Sequence, residues 1–340
     1  MTTAPVFTAH DVGDLFNLLP TVFGFMPEES ICAIATSGPR ERFGFRMRVD
    51  LPHDAEHVPQ LARFVAGHLR NNGAEGAIVL VVSGRREAAG EAAWAVERAL
   101  GTVRPVVTAW TDTQRYWTTF DDDPREGTPL ELSDHHPGVV SAVFAGQEIL
   151  PDRATLERRW LPADGPRCGW LASQVLEVER DIVRQSWTRS GAQVGDAGID
   201  EVLQVVGLLE DGARPDDLAL LRSCVWLTHH AVRDRLWPLY SRDEAERVLP
   251  AWRELARQAP SAYAAVPYTV AAYLAYLVGD GAQAMMGLEH ARAAGPCFDM
   301  AESLQRALVA GLHPDRLHHL VSGAALAELA ETTRPRPDAT

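Results

Sequence analysis

The sequence predicts an α/β domain with a mixed sheet, followed by an all-α domain that carries a tetratricopeptide-like stretch. Three observations predict it. In the first half, short apolar or alternating runs are interleaved with helical spacing in the order β-β-α-β-α-β. Leu161–Arg167 is rich in Pro and Gly and reads as a domain boundary. Beyond it only helical spacing recurs, broken by short stops. The expected division is 1–160 for the α/β domain, 161–331 for the helical domain and 332–340 for a tail without structure of its own.

The first half is organised around Leu18–Leu51. Thr8–Asn17 has the spacing of a short amphipathic helix with Val12, Leu15 and Phe16 inward. The apolar residues that follow, Leu18 to Met26, are punctuated by Pro20, Gly24 and Pro27, which predicts a packed but irregular lead-in. Ser30–Thr36 is a continuous apolar run, suited to a strand buried on both faces. Phe43, Phe45, Met47 and Val49 alternate with Gly44, Arg46 and Arg48, the period of a half-buried strand. The short connection predicts an antiparallel hairpin. A helix follows with Val58, Leu61, Phe64, Val65 and Leu69 at helical spacing, stopped at Asn71-Asn72-Gly73. Ala77–Val82 is the most hydrophobic run and is expected at the centre of the sheet. Helix Glu87–Leu100, anchored by Trp94, Val96 and Leu100, and strand Val103–Trp110 continue the pattern, with Arg115–Thr119 as an edge. Ser133–Ala145 and Arg153–Arg159 are short helix candidates.

In the second half, helices are expected at Leu171–Arg184, Asp200–Asp211, Pro215–Trp237 (one kinked or two), Arg242–Arg257, Ala262–Val278, Gly281–Ala294, Phe298–Gly311 and Pro314–Ala330. The Gly-rich Ser190–Gly198 reads as a flexible link. Tyr268 and Ala272, then Ala284, Leu288, Ala291 and Pro296, match the spacing of one tetratricopeptide unit. Ordinary helix packing through Ala faces accounts for the same residues, and a solenoid needs about three units.

Composition narrows the function classes. The chain of 340 residues is 46% hydrophobic, with a formal net charge of -14. That balance opposes binding to nucleic-acid backbones or anionic membranes, which reward positive charge. No signal peptide is evident at the N-terminus, and no stretch reaches the roughly 20 strongly apolar residues of a spanning helix. A cytoplasmic protein is expected. Cys32, Cys168, Cys224 and Cys297 are scattered, which suits free thiols in a reducing compartment. All 32 basic residues are arginine. The absence of lysine excludes Schiff-base chemistry, pyridoxal phosphate anchoring, a Walker phosphate loop and a kinase strand lysine on this chain. No cofactor is expected.

Several phrases, in order, resemble an actinobacterial domain-of-unknown-function family (family 4192). They are LLPTVFGFMPEES, FGFRMRVDLP, RYWTTFDDDPREGTPL, AVRDRLWPLY and the long run from Ala264 through Pro314. The resemblance covers most of the chain. It implies an actinobacterial cytoplasmic protein and no particular reaction. Relatives often carry cysteines just after the aromatic pair that matches Tyr116-Trp117; Thr118–Asp123 has none, so no metal or thiol role is carried over.

Four local patterns bear on chemistry. Ser83, Gly84, Arg85 and Arg86 lie between the central strand and a helix, where free N–H groups and two guanidinium groups would suit an anion such as a nucleotide phosphate. A polar turn whose arginines pair with nearby carboxylates is the plainer account. His53-Asp54-Ala55-Glu56-His57 spells an inverted zincin string, but Pro59 conflicts with the one helix that such a site needs. Asp121, Asp122 and Asp123 with Glu126 could surround magnesium or form a solvated turn. His135-His136, His229-His230 and His318-His319 are adjacent pairs, and neighbours about 100° apart on a helix rarely share a metal. No catalytic motif or metal set emerges. Two readings stand: a non-catalytic interaction or regulatory module with a protein partner at the helical domain, or an enzyme or sensor holding a small anion at Ser83–Arg86.

Overall fold

A computed structural model describes residues 8–39, 41–121, 126–295 and 299–318. The chain divides into two compact units, Met1–Arg158 and Arg159–Thr340.

The first unit is built on a six-stranded mixed sheet. Its strands are β1 (Ser30–Ser37), β2 (Arg42–Asp50), β3 (Gly76–Val82), β4 (Arg104–Thr111), β5 (Arg115–Thr118) and β6 (Thr128–Pro129), in the order β2-β1-β3-β4-β5-β6. β1 pairs antiparallel with both β2 and β3, and β3 pairs parallel with β4. The hairpin and the central place of Ala77–Val82 are as expected. Arg115–Thr118 is not the outermost strand, because the two-residue β6 pairs beyond it.

Helices cover both faces. α1 (Val12–Phe23) lies on one, and α2 (Val58–Asn71) and α3 (Arg86–Ala99) lie on the other. The period of two divides β3 between them: Ala77, Val79 and Val81 join Val65, Leu69, Ala92 and Val96, while Ile78, Leu80 and Val82 join Phe16 and Leu19. This is why β3 is buried at every residue and reads as a continuous apolar run. α4 (Pro137–Phe144) and α5 (Arg153–Arg158) complete the unit.

α1 corrects one expectation. It starts after the N-cap Asp11 and runs through Pro20 to Phe23, so the lead-in is helical as far as Phe23 and irregular only from Gly24 on. Proline removes a single N–H here, and the Thr21 hydroxyl donates to the Leu18 carbonyl at 2.8 Å. Gly24, at φ 79, ends the helix with its N–H on the Pro20 carbonyl.

The second unit is helical: α6 (Pro166–Ser186), α7 (Gly191–Glu210), α8 (Asp217–Trp226), α9 (His230–Leu236), α10 (Arg242–Gln258), α11 (Ala265–Leu277), α12 (Gly281–Ala294) and α13 (Asp299–Val309). α11 is buried from Val266 to Leu277 and forms the centre of the unit. Its own Tyr268 and Tyr273, with Trp160, Trp226, Trp237 and Trp252, are among the largest buried side chains of the unit. The Tyr268 hydroxyl donates to the Trp160 carbonyl at 2.8 Å, and Trp252 Nε1 donates to the Tyr240 hydroxyl at 3.0 Å.

Ser190–Gly198 is not a flexible link. It opens α7 with a capping box, in which Ser190 and Gln193 satisfy each other's backbone N–H groups. Two of its glycines, Gly195 and Gly198, serve close packing. A Cβ on Gly198 would lie 2.5 Å from a Val232 methyl and 2.9 Å from the Trp226 ring. Cys297, Pro296 and the tail 332–340 lie outside the described residues.

Candidate functional site

The Ser83–Arg86 loop leaves the end of β3 and enters α3 as expected. Three of its four residues converge on a carboxylate of the same unit. Ser83 Oγ lies 2.9 and 2.8 Å from the two Glu29 oxygens, so its proton is shared between them. The Gly84 N–H donates to Glu29 Oε1 at 3.0 Å, and Arg85 Nε donates to Oε2 at 3.0 Å. The other Arg85 nitrogens donate to the Pro52 and Leu51 carbonyls at 3.1 and 3.3 Å. Ser83 Oγ also accepts the Arg85 N–H at 2.9 Å. The anion held at the start of α3 is therefore Glu29.

Sheet pairing brings this about. Ser30 stands opposite Val82, so the residues flanking the two strands meet. Glu29 adopts φ 41, a left-handed conformation that most side chains avoid. Partial burial opposes its ionisation. The hydrogen bonds from Ser83, Arg85 and Gly84 outweigh that penalty and hold its carboxyl below the ordinary range. Arg86 turns elsewhere: its guanidinium lies 4.3 Å over the Trp117 ring, which is stacked with Trp110.

The other sequence candidates are placed as follows. His53–His57 does not form one α-helix: Ala55–His57 is a 3₁₀ turn, and Pro59 sits in the first turn of α2. Asp54, Glu56 and His57 offer ligand atoms within 4.8 Å of one another, all exposed, and His53 is not in the group. Asp121 accepts the Thr118 N–H at 2.6 Å and so shapes a turn; Asp122 and Asp123 lie outside the described residues. His136 accepts the Gly138 N–H at the start of α4 and bonds Asp14 through Nε2 at 3.0 Å. The backbone N–H of His10 and the ring of His136 hold the Asp14 carboxyl below its ordinary range. His319 lies outside the described residues. Cys32, Cys168 and Cys224 are free thiols, and burial pushes Cys32 and Cys224 up to about 12, which makes them poor nucleophiles.

Two surface features have no counterpart in the sequence analysis. In the first unit, an open groove of about 610 Å³ lies between the start of α2 and α3, bordered by Val58, Pro59, Glu91, Trp94 and Arg98. In the second unit, α6 carries apolar residues on two faces. Leu171, Val178 and Ile182 are buried, as one amphipathic stripe requires. Leu176, Val183 and the C-cap Trp187 are 64%, 45% and 80% exposed, with Ala172 exposed on the same side. The signal was in the sequence: at about 100° per residue Leu176, Val183 and Trp187 fall on the side of the helix opposite Leu171, Val178 and Ile182.

A family profile described as Domain of unknown function (DUF4192) matches residues 13–315. The chain belongs to that family. The match takes in both units, the Ser83–Arg86 loop and α6. No curated protein and no solved structure matches the chain. Among the described residues no helix is long and apolar enough to cross a membrane.

Proposed function

We propose that this member of the family is a non-catalytic protein-interaction module, with the outward face of α6 as its docking surface. The observation that carries this reading is the solvent-facing run Ala172, Leu176, Val183 and Trp187. Apolar side chains this exposed, aligned along one flank of a helix and its C-cap, are an ordinary mark of a surface that another protein covers. The helices behind it supply a rigid platform. In the same reading α11 and α12 form a single tetratricopeptide-like pair, with Gly287 set against Ala272 and Trp160. The alternative, a small anionic ligand at Ser83–Arg86, has less support, since Glu29 already engages Ser83, Gly84 and Arg85.

Photo-crosslinking in the cells that make the protein tests the reading. A benzoyl-phenylalanine at Leu176 or Trp187 should give a discrete adduct, and one at the exposed Glu246 of α10 should not. The Leu176 adduct should disappear when Val183→Asp is added. Absence of an adduct from both α6 positions would remove the surface as a docking face.

A further inference from the structure

Resting on the interaction reading above, we infer that the partner at α6 is α6 of a second copy, packed antiparallel about a two-fold axis near Val178 and Glu179. At about 100° per residue, Leu176, Arg180, Val183, Trp187 and Gly169 fall within an arc of roughly 60° on the exposed side of the helix. Glu177 lies about 60° further round from Arg180, on the same flank. Both are exposed, and neither side chain makes a hydrogen bond or ion pair with the described residues of its own chain.

A two-fold axis across antiparallel helices sets like flanks together. Glu177 of each copy then faces Arg180 of the other, twice over. The same placement puts Leu176 beside Val183 of the second copy and carries Trp187 to the level of Gly169. Gly169 has no side chain, and nothing lies within 4 Å of where its Cβ would be, so that end of α6 leaves open space for the indole to approach the helix backbone. Apolar residues, open space and both charges are thus matched by one symmetry operation.

Size sets the strength. α6 has 21 residues and is therefore about 31 Å long. One face of one helix covers less than the roughly 800 Å² per partner of a standard stable interface. The pair therefore belongs to the weak, concentration-dependent class.

Sedimentation velocity on the full chain, from about 1 to 200 µM, tests this over the micromolar affinity range. The wild type should shift with concentration from 37.2 kDa toward twice that mass. Val183→Asp should stay monomeric. Glu177→Arg and Arg180→Glu should each associate at least about tenfold more weakly, because each sets like charges face to face. An equimolar mixture of these two variants should associate again, since each chain then carries what the other lacks. Circular dichroism melts confirm that the variants are folded, and Leu176→Asp substitutes for Val183→Asp if that variant is not. A wild type that remains monomeric to about 200 µM overturns the inference. So does a wild type that associates while the mixture does not. A monomer that still gives a Leu176 crosslink to a different protein overturns the second copy alone and leaves the docking surface standing. A monomer without a crosslink sinks both.

Discussion

At φ 41, Glu29 holds a backbone conformation that costs a non-glycine residue on the order of 1 kcal/mol or more. The residue is kept there by its carboxylate, which gathers Ser83, Gly84 and Arg85. The carboxylate is about half exposed, so water screens part of the gain. Glu29→Ala should therefore lower stability by about 1 kcal/mol, with phosphate then raising its melting temperature and not that of the wild type. Thermal melts with and without phosphate check both parts; an equal response in the wild type would restore the ligand reading of the loop. The pH dependence has a fixed sign. The folded carboxyl sits below the ordinary glutamate value of 4.5, so its contribution is complete above that pH and is lost as pH falls through the folded value. The melting difference between wild type and Glu29→Gln should be constant from about pH 7 to 5.5 and should shrink below about 4.5.

At the level of elements, α7 separates the two uses of glycine. Gly198 meets Val232 and Trp226, whereas nothing lies within 4 Å of a Cβ on Gly207. Gly198→Ala should cost about 1–3 kcal/mol through overpacking, and Gly207→Ala should add about 0.5–1 kcal/mol through helix propensity. Ser190→Ala should cost about 1 kcal/mol by removing the cap. Urea denaturation of the three variants measures all of this, and a stabilised Gly198→Ala would contradict the packing. α7 also shows why some elements were legible and others were not. β1, β2 and β3 could be read because burial on one or two faces writes a period directly into the residues. The start of α7 was obscured because its glycines look like a linker, although Ser190 and Gln193 spell the cap. α1 was cut short in the sequence reading because Pro20 is a local signal, and packing against the sheet overrides it. For the candidate site, the position of the Ser83–Arg86 loop was legible and its occupant was not: Glu29 lies 54 residues from Ser83 and arrives only through the β1–β3 register. The exposed face of α6 was written in its composition but depends on how many layers cover the helix, which spacing alone does not state.

On the scale of the whole molecule, each unit has the ingredients to fold alone. The first contains all six strands, their pairings and the helices on both faces of the sheet. The second contains the buried α11 and the large buried tryptophan and tyrosine side chains, with the hydrogen bonds of Tyr240 and Tyr268 made inside the same unit. Units of this size ordinarily bury enough surface to be stable; at about 150 residues the buried fraction reaches roughly 68–70%. Residues 1–158 and 159–340, produced separately, should each melt cooperatively, and their summed far-ultraviolet spectra should reproduce that of the full chain. The test also locates function. The isolated 159–340 unit should retain the α6 crosslink and the concentration-dependent association, because every residue invoked for both lies within it. If that unit folds but loses them, the surface on α6 is not sufficient for docking, and residues 1–158 contribute to the partner's site. If either unit fails to melt cooperatively, the division at Arg158 does not mark independent folding units.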